Sequence, residues 1–546
     1  MNRSTISGLV QATAVGYSPC MMLYRAFATV GGLTMISRIL GFIRDILIAS
    51  ALGTGFIADA FFVAFRFPNL FRRLFGEGAF NAAFVPLFAR RLEKEGDEKA
   101  WRFAENAMSG LGFVLLIFSA TTMLAMPWAM LLMAPGFTSE PDKFDLAVAL
   151  TRIAFPYLLC MSLVALLSGV LNTYNRFWAA AAAPILLNII LILSIVAAIT
   201  TGQANRIGAG FILATGVTVA GFAQLAMLWY AVRRAGIRLS FRLPRYDDGM
   251  KRLVELGIPG VISGGITQIN IVIGTIIASM QTGAVSFLYY ADRLYQLPLG
   301  IVGIAIGVVL LPDLSRKLRA GEIRAAHEAQ NRSMEFALLL TLPAAIALAI
   351  AAKPIIGVLF ERGAFTEADT AATAQALVAF ALGLPAFVLI KVFQPAFFAR
   401  EDTKTPMWFA GISVIVNVVG SLILFYSFKS QGWMPHVGIA LATSLAGWIN
   451  ALLLWGVLAR QRAFVWDRKL AWNFLAILIA SLLMGAGLLY TLPYIQPFIS
   501  ASAPLTTRIA GLAIMVAGGA AVFGIVLAFI GQFQFRRLLR KPASKT

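Results

Sequence analysis

The sequence is poor in charged residues, cysteine and histidine, and each shortage excludes a class of protein. Charged residues make up 13% of the 546 residues, about half the share of a soluble domain. The two cysteines, Cys20 and Cys160, are too few for a disulfide framework. The two histidines, His327 and His436, argue against a metal site built on histidine or cysteine. No GxxxxGK[ST] segment is present, so the chain carries no P-loop ATPase.

Apolar residues dominate instead, at 59% of the chain and a mean hydropathy of +0.81. A membrane-spanning helix needs about 20 apolar residues, so we predict an all-α polytopic membrane protein with about fourteen transmembrane helices. The predicted spans are 27–52, 57–88, 104–133, 145–171, 178–200, 208–232, 253–280, 285–314, 333–360, 370–398, 406–427, 437–459, 470–494 and 507–533.

The 45 basic residues behind the net charge of +20 are distributed unevenly between the two sets of loops. With both termini on one side, 31 of the 45 basic residues fall on that side and 6 on the other. Such a bias marks the cytoplasmic side, so we predict that both termini are cytoplasmic. The loop charge serves topology and attracts anionic lipids, which removes nucleic acid from the expected partners.

Eight basic residues remain inside the predicted spans. A charge at mid-span costs about 2.5–3.5 kcal/mol on insertion scales, so each is a candidate functional residue. They are Arg38, Arg44, Arg66, Arg72, Arg73, Arg152, Arg293 and Lys391. The nearby acids are Asp45, Asp59, Glu77 and Asp292. The surplus of positive charge predicts an anionic ligand or a water-filled cavity.

The two halves of the chain resemble each other at a nearly constant offset along the sequence. Arg66 matches Arg293, and Asn188 matches Asn417. The repeating unit contains six helices, an even number, so the copies share one orientation. Transporters built from such repeats bind substrate between the halves. We therefore predict two six-helix lobes related by a parallel repeat, followed by two C-terminal helices.

The first predicted helix carries Ser37, Arg38, Gly41, Arg44 and Asp45. Arg38 and Asp45 are seven residues apart and share a helix face. Gly41 allows a bend that would let both arginines reach one cavity. The alternative is a local arginine–aspartate pair that only neutralises charge.

The second predicted helix carries Asp59, Arg66 and Arg73 at seven-residue spacing, which places them in one stripe. Arg73 and Glu77 have the spacing of an ion pair along a helix. Arg72 faces elsewhere, which makes it the better candidate to bind a ligand.

In the second half, Arg293 is the candidate that would complement the first-half arginines. Asp292 beside it either pairs locally or gates the site. Lys391 has two possible interpretations. It either serves charge coupling or substrate contact, or it only extends its charged end toward the membrane interface. Several arginine forks suit a diphosphate better than a single carboxylate.

Six segments of the chain stand out as motifs: SRILGFIRD (37–45), ADAFFVAFRFPNLFRRLFGEGAFNAAFVP (58–86), APGF (134–137), LNTYNRFWAAAAAP (171–184), YYADRLYQLPLGIVGIAIGVVLLP (289–312) and REDTKTP (400–406). Together they resemble the MurJ/MviN family of the multidrug/oligosaccharidyl-lipid/polysaccharide exporter superfamily. The resemblance runs from about Met21 to the C-terminus. It implies a flippase that moves lipid II, the undecaprenyl-diphosphate-linked peptidoglycan precursor, to the periplasmic face of the bacterial cytoplasmic membrane.

The resemblance also implies roles for particular residues. Arg38, Arg44 and Arg293 match family arginines that line the central cavity and engage the diphosphate. Other motif positions important to the family are matched by Ser37, Asp45, Asp59, Arg72 and Glu77. Arg66 is basic, as in relatives. The last two helices would form a groove for the lipid tail. Some relatives bind sodium in the second lobe, a site that we do not assign in this sequence.

We predict five regions of the chain. They are an N-terminal extension, in which a mis-called start codon is one reading (1–24), the N-lobe (25–235), a basic cytoplasmic linker (236–252), the C-lobe (253–460), and two helices with a basic tail (461–546). We expect a monomer without a cofactor or metal, acting on lipid II among membrane lipids, with wall-synthesis proteins as further partners. Transport would be coupled to the membrane potential or to a cation.

Three alternatives remain at this point. The chain could export a drug or another polysaccharide-lipid, although such relatives usually stop at twelve helices. A membrane-embedded glycosyltransferase or polymerase would need a catalytic acid or base. The loop acids available for that chemistry are Glu140, Asp142, Glu361, Glu367 and Asp369; they show no further organisation. A non-transporting scaffold would not explain the arginines inside the spans.

Overall fold

The computed structural model describes residues 19–73 and 79–530, and in these residues the chain is helical or lies in short connections, with no strand. Ten helical stretches in this part of the chain are long and apolar enough to cross a membrane. The prediction of an all-α polytopic membrane protein is confirmed. Four further long helical stretches would bring the crossings to fourteen, a count that stays a prediction.

The helices of the first half are α1 Pro19–Leu52, α2 Phe56–Arg72, α3 Ala79–Glu95, α4 Asp97–Leu124, α5 Met126–Met133, α6 Pro141–Ala154, α7 Tyr157–Thr173, α8 Trp178–Thr200 and α9 Ile207–Arg234. Those of the second half are α10 Asp248–Ala278, α11 Ala284–Arg319, α12 Ile323–Ile350, α13 Ala352–Phe360, α14 Glu367–Phe398, α15 Lys404–Ser430, α16 Pro435–Arg460, α17 Arg468–Ile499 and α18 Leu505–Phe529. A short 3₁₀ helix, Pro135–Ser139, follows α5.

Several predicted spans consist of two helices each, and proline marks the break in three of them. Pro127, Pro156 and Pro354 lie at or near the starts of α5, α7 and α13. Proline has no backbone N–H to donate, so it is tolerated in the first turn of a helix but interrupts a helix interior. Hydropathy alone cannot detect such breaks, because the flanking residues are apolar on both sides.

By their contacts, the helices form two compact units. Among the described residues, the first comprises those up to Ile48 and those of Val63–Met130 and Phe144–Gln268; the second comprises Ala49–Phe62, Leu131–Lys143 and the described residues from Ile269 on. Two segments of the first half of the sequence thus pack with the second half. Each predicted domain is a single uninterrupted range of the chain, and these domain boundaries stay predictions. Helix α1 begins at Pro19, inside the predicted N-terminal extension.

In the first unit, α8 packs against α7 and α9, and α4 packs against α3 and α7. Small residues bring these helices close together. A Cβ atom on Gly216 of α9 would lie 2.3 Å from Ser194 Oγ of α8, and one on Gly221 would lie 2.9 Å from the ring of Tyr157. Glycine at such positions is typical of helices that associate in lipid through close packing.

In the second unit, α16 packs against α14 and α15, and α12 packs against α11, α14 and α17. Gly383 of α14 lies against Ser444 of α16, where an added Cβ would be 2.5 Å from Ser444 Oγ. Helices α17 and α18 pack on each other, with Met484, Leu488 and Met515 in one apolar cluster.

Candidate functional site

Arg44 and Asp45 of α1 form a buried ion pair in the first unit. Their exposed fractions are 5% and 2%. Arg44 donates from Nε (3.0 Å) and Nη2 (2.7 Å) to Asp45 Oδ1, and from Nη1 to Asn188 Oδ1 at 2.9 Å. The guanidinium also lies over the ring of Phe65, 5.8 Å from its centroid. A charge this far from water requires such compensation.

Asn188 of α8 joins Arg44 to Ser37. Its side-chain amide donates to the Ser37 carbonyl at 2.9 Å and approaches Ser37 Oγ at 3.4 Å. Gly41 lies on the same face of α1, where a Cβ atom would be 3.5 Å from Asn188 Nδ2. The only sequence signal for Asn188 is a single amide within an apolar run, which marks the repeat but does not indicate a partner.

The repeat partner of Asn188 makes a related contact in the second unit. Asn417 of α15 donates from Nδ2 to Asn270 Oδ1 of α10 at 2.9 Å. Its own Oδ1 accepts from Ser421 at 3.2 Å and from Thr443 at 3.3 Å. The offset between Gly41 and Asn270 equals the offset between Asn188 and Asn417. Each unit thus uses an asparagine of its fifth predicted span to contact its first.

Arg38 does not make the contact that helix periodicity predicts for it. The periodicity places it on the face of Asp45, seven residues away, but the structure pairs Asp45 with the adjacent Arg44, and Arg38 is exposed. Neighbouring residues on a helix point about 100° apart, a gap that the long arginine side chain closes by folding back. Spacing between Cα positions does not capture this reach.

Arg66 and Arg72 lie in the second half of α2, and Arg73 follows its last residue; all three belong to the first unit. Arg72 donates from Nε to Asn69 Oδ1 at 3.0 Å, so it has a neighbouring partner that the sequence analysis did not assign. Arg66 is half-buried and Arg73 is exposed. Glu77 lies outside the described residues, and the predicted Arg73–Glu77 pair therefore stays a prediction.

Asp59 of α2 belongs to the second unit and is completely buried. Its Oδ2 accepts from Lys143 Nζ at 3.0 Å and from the backbone N–H of Gly283 at 2.7 Å. Its Oδ1 accepts from the N–H and hydroxyl of Ser286, at 2.9 and 2.7 Å. The carboxylate thus caps the start of α11, where the helix dipole favours negative charge.

Lys143 is a site residue that the sequence analysis missed. It belongs to the six basic residues assigned to the outer loops, but it is 1% exposed and also lies over the ring of Phe137, 4.6 Å from its centroid. Asp59 therefore pairs with Lys143 rather than with the arginines of its own helix. Lys143 lies at the start of α6, far from Asp59 along the chain, so only the structure reveals this pair and no spacing along the sequence predicts it.

Arg293 and Asp292 lie in the second unit, on α11. Arg293 is half-buried and donates from Nη2 to Tyr289 Oη at 2.8 Å. The Tyr289 ring stacks on Phe62 at 3.9 Å between centroids. Asp292 accepts from the side-chain amide of Gln296. Lys391 of α14 is exposed.

The contacts described above group the predicted residues within each unit. Ser37, Arg44 and Asp45 form one cluster in the first unit; Asp59 belongs to a cluster in the second, and Arg293 with Asp292 to another part of it. In the part of the chain that the structure describes, no group of three or more histidine, cysteine and acidic residues could hold a metal ion. The chemistry available is that of arginine forks, which bind phosphate oxygens in pairs.

Comparison with known proteins gives the family. Residues 48–532 match the family model described as lipid II flippase MurJ. This chain belongs to the MurJ family. A probable lipid II flippase MurJ of Rhizobium meliloti is 49% identical over 96% of this chain and 97% of its own length. The lipid II flippase MurJ of Burkholderia cenocepacia is 34% identical over 86% of this chain and 90% of its own length.

Solved structures agree with this assignment. A lipid II flippase MurJ in an inward closed conformation is 26% identical, with a TM-score of 0.73 over 94% of this chain and 99% of that chain. An inward-facing multidrug resistance transporter of the MATE family and MOP superfamily is 13% identical, with a TM-score of 0.61 over 80% of this chain and 98% of that chain. The second likeness concerns the fold alone. The resemblance drawn from the six sequence segments is confirmed.

Proposed function

We propose that this MurJ-family chain is a lipid II flippase, which moves undecaprenyl-diphosphate-linked disaccharide-peptide from the cytoplasmic to the periplasmic leaflet by alternating access. It acts as a transporter and not as an enzyme. The relatives that match it over nearly their whole length are named as lipid II flippases. The alternatives, a drug exporter or a polymerase, are not favoured by any of these names.

The observation that carries the mechanism is the presence of arginines in helices that we predict to span the membrane, where a charge is costly. Arg38, Arg44 and Arg293 stand on α1 and α11, and Arg72 on α2. Charges retained at such positions serve a pathway or a ligand. A diphosphate offers several oxygens to arginine forks. We assign these four arginines, with Ser37, to the diphosphate of the substrate.

Arg44 would exchange partners during transport. Its guanidinium contacts Asp45 and Asn188 in this structure. An incoming diphosphate would compete with the Asp45 carboxylate for the same donors, while the amide of Asn188 keeps the side chain in place. Asp45 would then stabilise the empty carrier. This exchange lets the positive charge stay buried with or without substrate.

The other acids and Lys391 have supporting roles in this proposal. Asp59 stabilises the start of α11, the helix that carries Arg293. Asp292, Arg66 and Glu77 belong to the gating and ion-pair group. Lys391 contributes to charge coupling. The membrane potential would drive the return of the empty cationic carrier, at about 2.3 kcal/mol per charge per 100 mV.

We place the chain in the bacterial cytoplasmic membrane with both termini cytoplasmic, because the basic loop residues favour that side. It works as a monomer with lipid II as substrate, and wall-synthesis proteins would act next to it.

The experiment is flipping of lipid II by the purified full chain in sealed vesicles. Arg44→Ala and Arg293→Ala are compared with wild type and with Arg102→Ala, an exposed arginine paired with Glu98. We expect loss of flipping in the first two variants and normal flipping in the third. Normal flipping by well-folded Arg44→Ala and Arg293→Ala would contradict the assignment of the arginines.

A further inference from the structure

Each unit contains a short non-helical segment, here called a strap, that follows a helix long and apolar enough to cross a membrane. The first strap is residues 237–247, between α9 and α10. The second strap is residues 461–467, between α16 and α17. Along the start of the first strap, buried and exposed residues alternate, from Ile237 to Ser240, as in an extended chain.

The first strap is fixed to α4 by a buried carboxylate. Glu105, 4% exposed, accepts from the N–H and hydroxyl of Ser240 at 2.8 and 2.7 Å. Arg242 Nε lies 3.0 Å from the other carboxylate oxygen, and the Arg242 N–H donates to Ser109 Oγ at 3.2 Å. These bonds satisfy backbone groups that a helix would pair internally.

An asparagine and an aspartate then join the strap to the next helix. Asn106 Nδ2 donates to the Arg245 carbonyl at 2.6 Å and to Asp247 Oδ2 at 3.0 Å. Asp247 Oδ1 in turn accepts from the Met250 N–H at 2.7 Å, which caps the start of α10. The strap therefore has a fixed position on its unit.

The second strap has the same arrangement in the second unit. Asn331 Nδ2 donates to the Val465 carbonyl and to Asp467 Oδ2, both at 3.1 Å. Asp467 Oδ1 accepts from the Leu470 N–H at 2.6 Å and caps α17. Val465 and Asp467 stand at the same offset from Arg245 and Asp247, respectively. The internal repeat therefore includes the straps and the asparagine–aspartate hydrogen bonds that hold them.

Both straps expose an aromatic residue immediately before the capping aspartate. Tyr246 is 73% exposed and Trp466 is 40% exposed. In the first strap, Phe241 and Leu243 are also exposed, at 62% and 88%. Such apolar exposure on a clamped segment calls for a partner that is apolar on one side and polar on the other.

Basic side chains surround these aromatic residues. The exposed ones are Arg238, Arg242 and Arg245 in the first strap, and Arg460, Arg462, Arg468 and Lys469 in and beside the second. Non-helical backbone cannot enter the hydrocarbon region where it meets lipid. Each strap directly follows a helix that is long and apolar enough to cross a membrane, and in the proposed orientation this places the straps near the depth of the lipid headgroups. Aromatic residues concentrate at this depth, and basic residues there attract anionic lipids.

We propose that each strap is a binding site for the phosphodiester headgroup of an anionic phospholipid of the cytoplasmic leaflet. The aromatic residue packs against the glycerol and upper acyl region, and the arginines bind the phosphate. The inference rests on the proposed orientation of the chain and is independent of the proposed substrate. Loop charge alone would attract anionic lipids over the whole cytoplasmic face of the protein. The proposal assigns this attraction to two defined segments.

The experiment uses the quenching of tryptophan fluorescence by brominated phospholipids, with the full chain in vesicles. The tryptophan fluorescence of the wild type minus that of Trp466→Phe gives the signal of the second strap. The fluorescence of Tyr246→Trp minus that of the wild type gives the signal of the first strap. Brominated phosphatidylglycerol is compared with brominated phosphatidylcholine at the same mole fraction. We expect phosphatidylglycerol to quench both difference signals at several-fold lower mole fraction, with the preference falling as salt is raised.

Charge variants test the arginines. Arg462→Gln with Arg468→Gln should reduce the preference at the second strap, by about fivefold for each residue. Arg238→Gln with Arg245→Gln should do the same at the first. Lys99→Gln with Arg102→Gln is the matched control, because it removes two exposed charges from the start of α4, outside the straps. This control should keep both preferences.

Four outcomes would overturn the proposal. Equal quenching by the two lipids would mean that the straps contact the interface without selecting a headgroup. Absence of quenching would place them in water. Selectivity that survives in the strap variants would assign it to other charges. Displacement of brominated phosphatidylglycerol by equimolar lipid II would make the substrate the occupant. None of these results depends on flipping, so failure here leaves the proposed transport function open to its own test.

Discussion

Lys143 Nζ lies 3.0 Å from Asp59 Oδ2, and neither side chain is more than 1% exposed. Two backbone N–H groups and a hydroxyl from the start of α11 complete the shell of the carboxylate. Most of the hydrogen-bonding capacity of the buried anion is therefore used. The pair connects the segments 49–62 and 131–143 to the beginning of α11, all within the second unit.

We expect Lys143→Met to destabilise the protein by about 3–5 kcal/mol, because it leaves the Asp59 carboxylate buried without its counter-charge. The measurement is thermal unfolding of the purified chain in detergent. Lys143→Met combined with Asp59→Asn should recover part of the loss, since no charge remains buried and the amide oxygen still accepts hydrogen bonds.

Lys353→Met is the matched control for this prediction. Lys353 Nζ also lies 3.0 Å from a carboxylate oxygen, that of Glu367, but its side chain is 60% exposed. Exposed pairs of this kind contribute about 0–1 kcal/mol. If the two lysine variants lost equal stability, burial would not be the source of the effect.

Asn188 should position Arg44. We expect Asn188→Leu to lower flipping strongly, because Arg44 Nη1 loses its acceptor and α8 loses its contact with Ser37. A stability loss of about 1–3 kcal/mol should accompany it, as for other buried groups left without a partner. Flipping in vesicles and thermal unfolding are measured on the same preparation.

Asn188→Gln separates positioning from folding. It retains the amide and displaces it by one methylene, so we expect a smaller stability loss than for leucine but still reduced flipping. The residue would be structural only if flipping in both variants fell no further than the folded fraction does.

Gly136 permits a backbone contact that no other residue allows. A Cβ atom there would lie 2.3 Å from Ser279 O, and the Gly136 N–H donates to Ser279 Oγ at 3.0 Å. Gly136→Ala should therefore destabilise the second unit, by more than about 2 kcal/mol, because backbone must move. The readout is the midpoint of thermal unfolding.

Gly112→Ala provides the comparison. Gly112 lies in α4, and an added Cβ would meet only Leu163 Cδ2, at an ordinary 3.9 Å. Alanine favours the helix over glycine by about 1 kcal/mol, so this variant should be neutral or slightly stabilising. A similar loss in both variants would refute the close contact at Gly136.

The fold class could be predicted from hydropathy and charge because each membrane span is a local property of one apolar stretch of the chain. The parallel repeat was equally visible, since Asn188 and Asn417 keep their spacing in sequence. Breaks such as that at Pro156 were missed because the residues on both sides are apolar. Local patterns define spans, whereas their division into two helices depends on backbone hydrogen bonding.

The site was harder to predict because its contacts join residues far apart in the chain. Arg44 and Asp45 were identified as a charged group, but their acceptor and neighbour Asn188 lies on α8, far along the sequence. Lys143 looked like an ordinary loop charge, since nothing near it in sequence indicates burial against Asp59. Helix periodicity compares residues within one element and cannot report which distant segment of the chain packs against a given face.

Arg508 should hold the last helix in place. This residue of α18 is 6% exposed and donates from Nη2 to the Gly357 carbonyl at 2.6 Å and from Nη1 to the Glu361 carbonyl at 3.2 Å. Both carbonyls belong to the end of α13, where the helix dipole favours a cation. Arg362 also donates to carbonyls there, and burial and the charge of Arg508 lower its pKa from the usual value.

Arg508→Met should therefore cost about 1.5–3 kcal/mol, the usual contribution of hydrogen bonds to a charged group. Arg508→Lys keeps the charge but not the planar fork, and it should recover only part of the loss. Thermal unfolding in detergent measures both. Limited proteolysis between α17 and α18, at residues 500–504, gives a local readout that should rise more in the methionine variant than in the lysine variant. Wild-type stability and cleavage in Arg508→Met would show that packing of α18 on α17 suffices without the arginine.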